Sequence, residues 1–264
     1  MKLSMERKLR RRMKTKKRAV FMAAAVCALF AMLQGTAYGH AGGGSHGAAA
    51  AAAKSAQSND GKLTVLVNGV PVQSAANHIG TDGKAYVSVQ AFAELFGEEA
   101  AVSADRKTLS LRGKQIGAIR VVQGEPTARV RDLADAIGAQ QIAWDADARE
   151  AYVLALPKGT IQLDPEVVPA MGEHWANPEA GDLPIGPIYG VYKGKLVFLE
   201  YMIAQDDFVT GKNHVNLEGM KGVPMPPIVQ TDIEFQPEGH PGFEIPHYDL
   251  HFYFIADEEQ QAIR

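Results

Sequence analysis

The sequence predicts an α+β chain in two parts, a small α+β repeat module followed by a mostly antiparallel β domain, barrel-like or a sandwich. Three observations predict it. Between Tyr86 and Leu154 one pattern occurs twice: an extended piece, an amphipathic helix, a glycine, then a strand, a turn and a strand. Beyond residue 170, runs rich in aromatic and β-branched residues alternate with Gly and Pro turns. Within that second part, Pro246 to Phe254 reads PHYDLHFYF, with polar and apolar side chains alternating at the period of a strand.

The chain begins with a segment that reads as a signal peptide over residues 1–39. A basic stretch from Lys2 to Arg18 precedes an apolar run from Ala19 to Leu33, and Ala37-Tyr38-Gly39 supplies small residues for cleavage. The apolar run is shorter than the ~20 residues of a membrane-spanning helix, so cleavage rather than anchoring is expected. The single cysteine, Cys27, lies in that run, and the bulky Val26 before it argues against lipidation. Residues 40–264 then hold no cysteine, which rules out disulfides and thiolate metal sites and suits an oxidising compartment.

Charge changes with the leader. Residues 1–39 carry ten of the 27 Lys and Arg but one of the 30 acids, so residues 40–264 carry 17 basic against 29 acidic side chains, a net charge of −12 against −3 for the whole chain. That balance argues against nucleic acid and anionic lipid as partners. A small ligand or a component of the cell envelope is the expected partner, in a secreted or extracytoplasmic protein, with homo-oligomerisation left open.

Residues 40–60 are rich in Ala, Gly and Ser and read as a flexible tether. From residue 61 the elements come in order. Leu63–Asn68 is a strand, and Asn68-Gly69 a hairpin turn. Tyr86–Gly97 is the first copy of the repeat and Ala128–Gly138 the second, each helix ending at its glycine. Ala104–Lys107 and Asp145–Arg149 are turns leading into strands Thr108–Leu111 and Ala151–Leu154. Pro157–Pro169 reads as a linker. In the second part, Ile188–Tyr192 and Lys195–Ile203 flank a Lys193-Gly194 hairpin turn. Thr231–Phe235 and Glu244–Ile255 flank a Gly/Pro loop in which His240 is expected to be solvated. Asp206 and Asp207 are expected to cap a short helix, and Asp257–Ile263 forms another.

Two stretches resemble known families. Val67-Asn68-Gly69-Val70-Pro71, then Tyr86-Val87-Ser88-Val89 with Phe92 and Leu95-Phe96-Gly97, resembles the copper amine oxidase N-terminal-like (stalk) domain over residues 61–156. The resemblance implies an appended, non-catalytic module of secreted bacterial proteins. No Asn-Tyr-Asp or Asn-Tyr-Glu supplies a quinone precursor, so amine oxidase activity is not expected. Residues 165–264 carry Met171-Gly172-Glu173-His174-Trp175 and Pro246-His247-Tyr248-Asp249-Leu250-His251-Phe252-Tyr253. They resemble a small family of extracytoplasmic bacterial β-domains that has no established activity. That resemblance implies a fold and a compartment.

The alternation places His247, Asp249, His251 and Tyr253 on one strand face, with an apolar core face of Tyr248, Leu250, Phe252 and Phe254 behind it. His174, His247, Asp249 and His251 are the candidate metal ligands, with Glu200, Asp232, Glu234 and Tyr253 as supporting groups behind them or alternative ligands. Imidazole with carboxylate suits a divalent ion, zinc first. His247 and His251 stand i, i+4 on a strand, roughly 13 Å apart, too far to share an ion without a bulge; an i, i+2 pair at roughly 6.6 Å can. Three readings stay open: a metal site, a hydrogen-bonded polar row around Asp249, and a catalytic site without metal. The first makes this an exported binding protein. A catalytic use would make it an exported metal-dependent hydrolase or isomerase. No Ser-centred nucleophile elbow and no phosphate loop is present.

Overall fold

The computed structural model describes residues 62–180 and 183–264. The readings of residues 1–39 as a signal peptide and 40–60 as a tether lie outside them. The architecture is mostly β, with four sheets and four short helices among the described residues.

The first part holds eleven strands. β1 (Thr64–Val67) pairs in parallel with β11 (Glu150–Leu154) and antiparallel with β2 (Val70–Pro71), while β10 (Gln141–Asp145) flanks β11. The β1–β2 turn is Asn68-Gly69, both with positive φ (49° and 85°), the pairing a two-residue hairpin requires. β3 (His78–Ile79), β4 (Ala85–Ser88), β9 (Glu125–Arg129) and β8 (Arg120–Val122) make a second sheet. β5 (Ala101–Val102), β6 (Leu109–Leu111) and β7 (Lys114–Ile116) make a third. The two copies of the repeat meet through their own extended pieces, with Tyr86 opposite Arg129 and Ser88 opposite Thr127. Each then runs into its helix, α1 (Val89–Glu94), where the Ser88 hydroxyl accepts from the Ala91 N–H, and α2 (Val130–Ile137), which ends at left-handed Gly138. Both helices bury one face, Phe92 and Ala93 from the first, Leu133 and Ala134 from the second, against Val65, Val67, Leu109, Leu111 and Val153.

The second part is one six-stranded antiparallel sheet curled into a half-barrel. Its order is β12 (Ile161–Gln162), β13 (Glu173–Ala176), β14 (Ile188–Tyr192), β15 (Lys195–Ala204), β17 (His247–Tyr253) and β16 (Gln230–Gln236). β12 sits inside the stretch expected to be a linker and forms an edge of this sheet. β14 and β15 join through Lys193-Gly194, again with both φ positive. α3 (Gln205–Thr210) follows β15, and α4 (Asp257–Gln261) follows β17. Asp207 does not cap α3: its side chain reaches past the helix end to Lys212 and His214.

The two parts share packing. Leu154 and Leu156 leave the first module and enter the core of Trp175, Tyr189, Val191 and Leu196. The buried Asn68 amide ties them as well, donating to the carbonyls of Ala155 (2.8 Å) and Pro224 (3.0 Å) while its oxygen accepts from Ala155 N–H (2.8 Å). No helix among the described residues is long and apolar enough to cross a membrane.

Candidate metal centre

β17 alternates as expected, and its polar face is the more deeply buried of the two. His247, Asp249, His251 and Tyr253 are buried, while Tyr248, Leu250 and Phe252 are half-buried. The polar row lines the concave side of the half-barrel. The aromatic row lies on the convex side, where Tyr248 packs against Phe208 of α3 and Phe235 of β16. The expected apolar core face is present in part: Phe254 belongs to the core of Trp175, Tyr189 and Leu199 and Phe252 packs against it, while Tyr248 and Leu250 are only half-buried.

Register fixes the neighbours of each polar residue. Directly opposed residues in an antiparallel ladder share a face. Glu200 and Asp232 flank His251, and Met202 and Glu234 flank Asp249. Gln236 lies opposite His247, so residues 237–246 form the connection that folds back over the start of β17. His240 sits in that connection. It was expected to be solvated, but its side chain is 23% exposed and its ring meets His247 edge-on at 4.7 Å between centroids.

Three ligand-capable atoms converge here. His240 Nε2 and His247 Nε2 are 3.1 Å apart. Asp249 Oδ1 is 3.1 Å from His247 Nε2 and 3.8 Å from His240 Nε2. A tetrahedral zinc shell with ligands at ~2.0–2.1 Å has edges of roughly 3.3–3.4 Å, so the separations match. The far side of each ring decides the chemistry. His247 Nδ1 lies 2.6 Å from the carbonyl of Ile245, and His240 Nδ1 lies 3.2 Å from that of Pro241. A carbonyl only accepts, so each Nδ1 carries the proton, and each neutral ring turns its Nε2 lone pair toward the other. Asp249 Oδ1 is buried there without a hydrogen-bond partner. A single proton satisfies one pair of these acceptors; a metal cation satisfies all three. The cluster could hold a metal ion.

Of the residues singled out in the sequence, His247 and Asp249 belong to this group. His251 does not. Its Nε2 is 3.3 Å from Glu200 Oε1 and its Nδ1 is 3.6 Å from Glu234 Oε2, a histidine between two carboxylates. His174 lies across the sheet, its ring edge-on to Phe198, which is in turn edge-on to His251. The approach of Phe198 requires Gly190 opposite it, since a Cβ there would run into the ring. His174 Nδ1 is buried with no partner. Asp232 is half-buried, and Tyr253 stacks on His251. His174, Glu200, Glu234, His240, Asp249, His251 and Tyr253 all line one cavity of about 640 Å³, with His247 sealed behind it.

The titrations follow from these surroundings. The Asp249 carboxylate beside it raises His240 above the ordinary imidazole value. Burial pushes Asp249 up, but its histidine neighbours, His240 first, outweigh burial and hold it low. Burial pushes His251 down, and Glu200 more than reverses this. His174 is lowered by burial. Burial raises Glu234 and Tyr253.

His240 is the residue the sequence reading missed. The available signal was a histidine in the Gly239–Gly242 loop that connects two paired strands, seven positions before an inward-facing histidine.

No protein-family model matches the chain, and no curated protein matches it. Among solved structures the chain is similar to a hypothetical protein from Thermus thermophilus, at 20% identity and a TM-score of 0.34, over 38% of this chain and 85% of that one.

Proposed function

We propose that this is an exported binding protein, secreted or held in the cell envelope, in which a copper amine oxidase N-terminal-like module presents a β half-barrel that holds a divalent metal, zinc by ligand chemistry. One observation carries the metal: two imidazole Nε2 atoms and a carboxylate oxygen converge as acceptors, with both Nδ1–H groups committed to backbone carbonyls. The basic and apolar leader and the absence of cysteine after residue 39 support export. The partner is a small ligand or an envelope component, and the acidic balance disfavours nucleic acid.

Elemental analysis of protein purified without chelator, followed by calorimetric zinc titration of stripped protein, tests the reading. One equivalent of metal is expected. No uptake by a folded protein refutes it.

A specific observation favours a second reading. Three protein ligands leave a tetrahedral position open, and here the cavity borders it, as in catalytic zinc sites. An exported metal-dependent hydrolase or isomerase would use that position. Metal-dependent turnover of an ester or phosphoester panel, abolished in Asp249→Asn, distinguishes it from simple binding.

A further inference from the structure

Away from the ligand set the cavity changes character. Leu163, Leu183, Ile188 and Met202 form an apolar wall and pack in one cluster. Met202 is the direct ladder partner of Asp249, so the wall begins one strand away from the metal ligands. The wall side chains offer no hydrogen-bonding group, while four carboxylates, Glu200, Glu234, Glu244 and Asp249, also line the cavity, Glu200 opposite Ile188 and Asp249 opposite Met202 in the ladder. The volume, about 640 Å³, falls in the range of small-molecule sites.

We propose that this cavity takes a small amphiphile, its carboxylate on the open metal position and its saturated body along Leu163, Leu183, Ile188 and Met202. The inference rests on the metal reading and adds the ligand's class to it. Charge argues for the head. Without metal, four carboxylates repel an anion. A divalent ion held by Asp249 and two neutral rings would carry one local positive charge and keep one open coordination position for an anionic oxygen, with Glu200, Glu234 and Glu244 further along the cavity opposing it. An acid would thus be held through coordination to the ion itself, against the repulsion of the remaining carboxylates. Shape and polarity argue for the body, since only an apolar chain leaves no donor or acceptor stranded on that wall.

Calorimetric titration of the full chain with octanoate and decanoate, on stripped and zinc-loaded protein, tests this. Decanoate should bind only the zinc-loaded form, and affinity should rise about fourfold per added methylene while the chain still fits. Leu163→Ser and Leu183→Ser, at partly buried positions, should weaken decanoate binding about tenfold and leave zinc affinity unchanged. Zinc binding without decanoate binding overturns the inference and leaves the metal reading standing. Failure to bind zinc overturns both. Equal decanoate binding with and without zinc, or decanol binding as tightly as decanoate, overturns the carboxylate-on-metal arrangement.

Discussion

In the first module the packed core is aliphatic and aromatic, from Val65 and Val67 through Phe92 to Leu133 and Val153, and the buried polar side chains, Asn68, Asn77, Ser88 and Thr127, are uncharged. On the concave face of the second sheet the buried side chains include Glu200, His247, Asp249 and His251. Both regions bury side chains, and they use the burial differently. Apolar burial stabilises in proportion to area, whereas a buried ionisable group costs several kcal/mol unless partners return it. Here the partners are other ionisable groups, set so that one cation would complete them. The difference teaches where chemistry can reside: the repeat module buries only uncharged polar groups, and the half-barrel, beside its own apolar cores, gathers ionisable groups of which His240, His247 and Asp249 could hold a metal ion.

The largest effect is expected from the first region. Phe92 is fully buried in the core of the first part, and Phe92→Ala should lower the unfolding free energy by about 3–5 kcal/mol in chemical denaturation. The folded variant should keep wild-type zinc affinity. A collapse of zinc binding in folded Phe92→Ala breaks the division of labour.

The second region should respond through the metal. Asp249→Asn and His240→Gln should each weaken zinc binding about 100-fold or more, since losses of 10–100-fold already follow from altering groups that merely orient ligands. Wild-type affinity in either variant would remove that residue from the shell.

Asn68 sits between the regions. Asn68→Gly keeps the positive φ of 49° but strips the amide from three backbone partners. A destabilisation of about 1–3 kcal/mol is expected. A neutral outcome would show that the Leu154–Leu156 packing alone joins the modules.

Acid sharpens the contrast further. Zinc must displace the proton from His240, whose value is raised, so affinity should start falling above the ordinary imidazole value of ~6.5 and approach a tenfold loss per pH unit below that onset. Metal-free protein runs the other way. A raised folded value means His240 contributes stability fully below ~6.5 and loses it as pH rises through its folded value. The stability gap between wild type and His240→Gln, without metal, should therefore shrink toward alkaline pH.

The smallest effect belongs to His174. It lines the cavity but stands outside the ligand group, so His174→Gln should change zinc affinity by less than about threefold. A loss matching that of His240→Gln would redraw the centre.

Much of the fold was legible because it is local. The repeat announced its helices through periodicity and closing glycines, and the strand period of residues 247–253 separated His247 and Asp249 from their aromatic neighbours. Strand spacing argues that His247 and His251 can hardly share one ion without a bulge, although both stand in one candidate ligand set; in the structure His247 stands by Asp249 and His251 by Glu200. What stayed hidden depends on long-range pairing. That Glu200 faces His251 follows from a ladder joining residues fifty apart, and His240 reaches the site because a connection folds back on its strand. How fully each face of β17 is covered depends on what packs against it from distant parts of the chain, which alternation does not encode. Phe235 and Ile233 remain partly uncovered on the convex side for the same reason.

The parallel pairing of β1 with β11 has a mechanical meaning. The chain enters β1 at Thr64, beside Glu150, and leaves β11 at Leu154 toward the half-barrel. A pull applied at Lys62 and resisted by the half-barrel acts on opposite ends of these two strands. The ladder is then loaded in shear, so its bonds strain together rather than opening one after another. Strung between an anchor and a load, the first module would behave as a stiff link, and the half-barrel's cavity would keep its shape under tension.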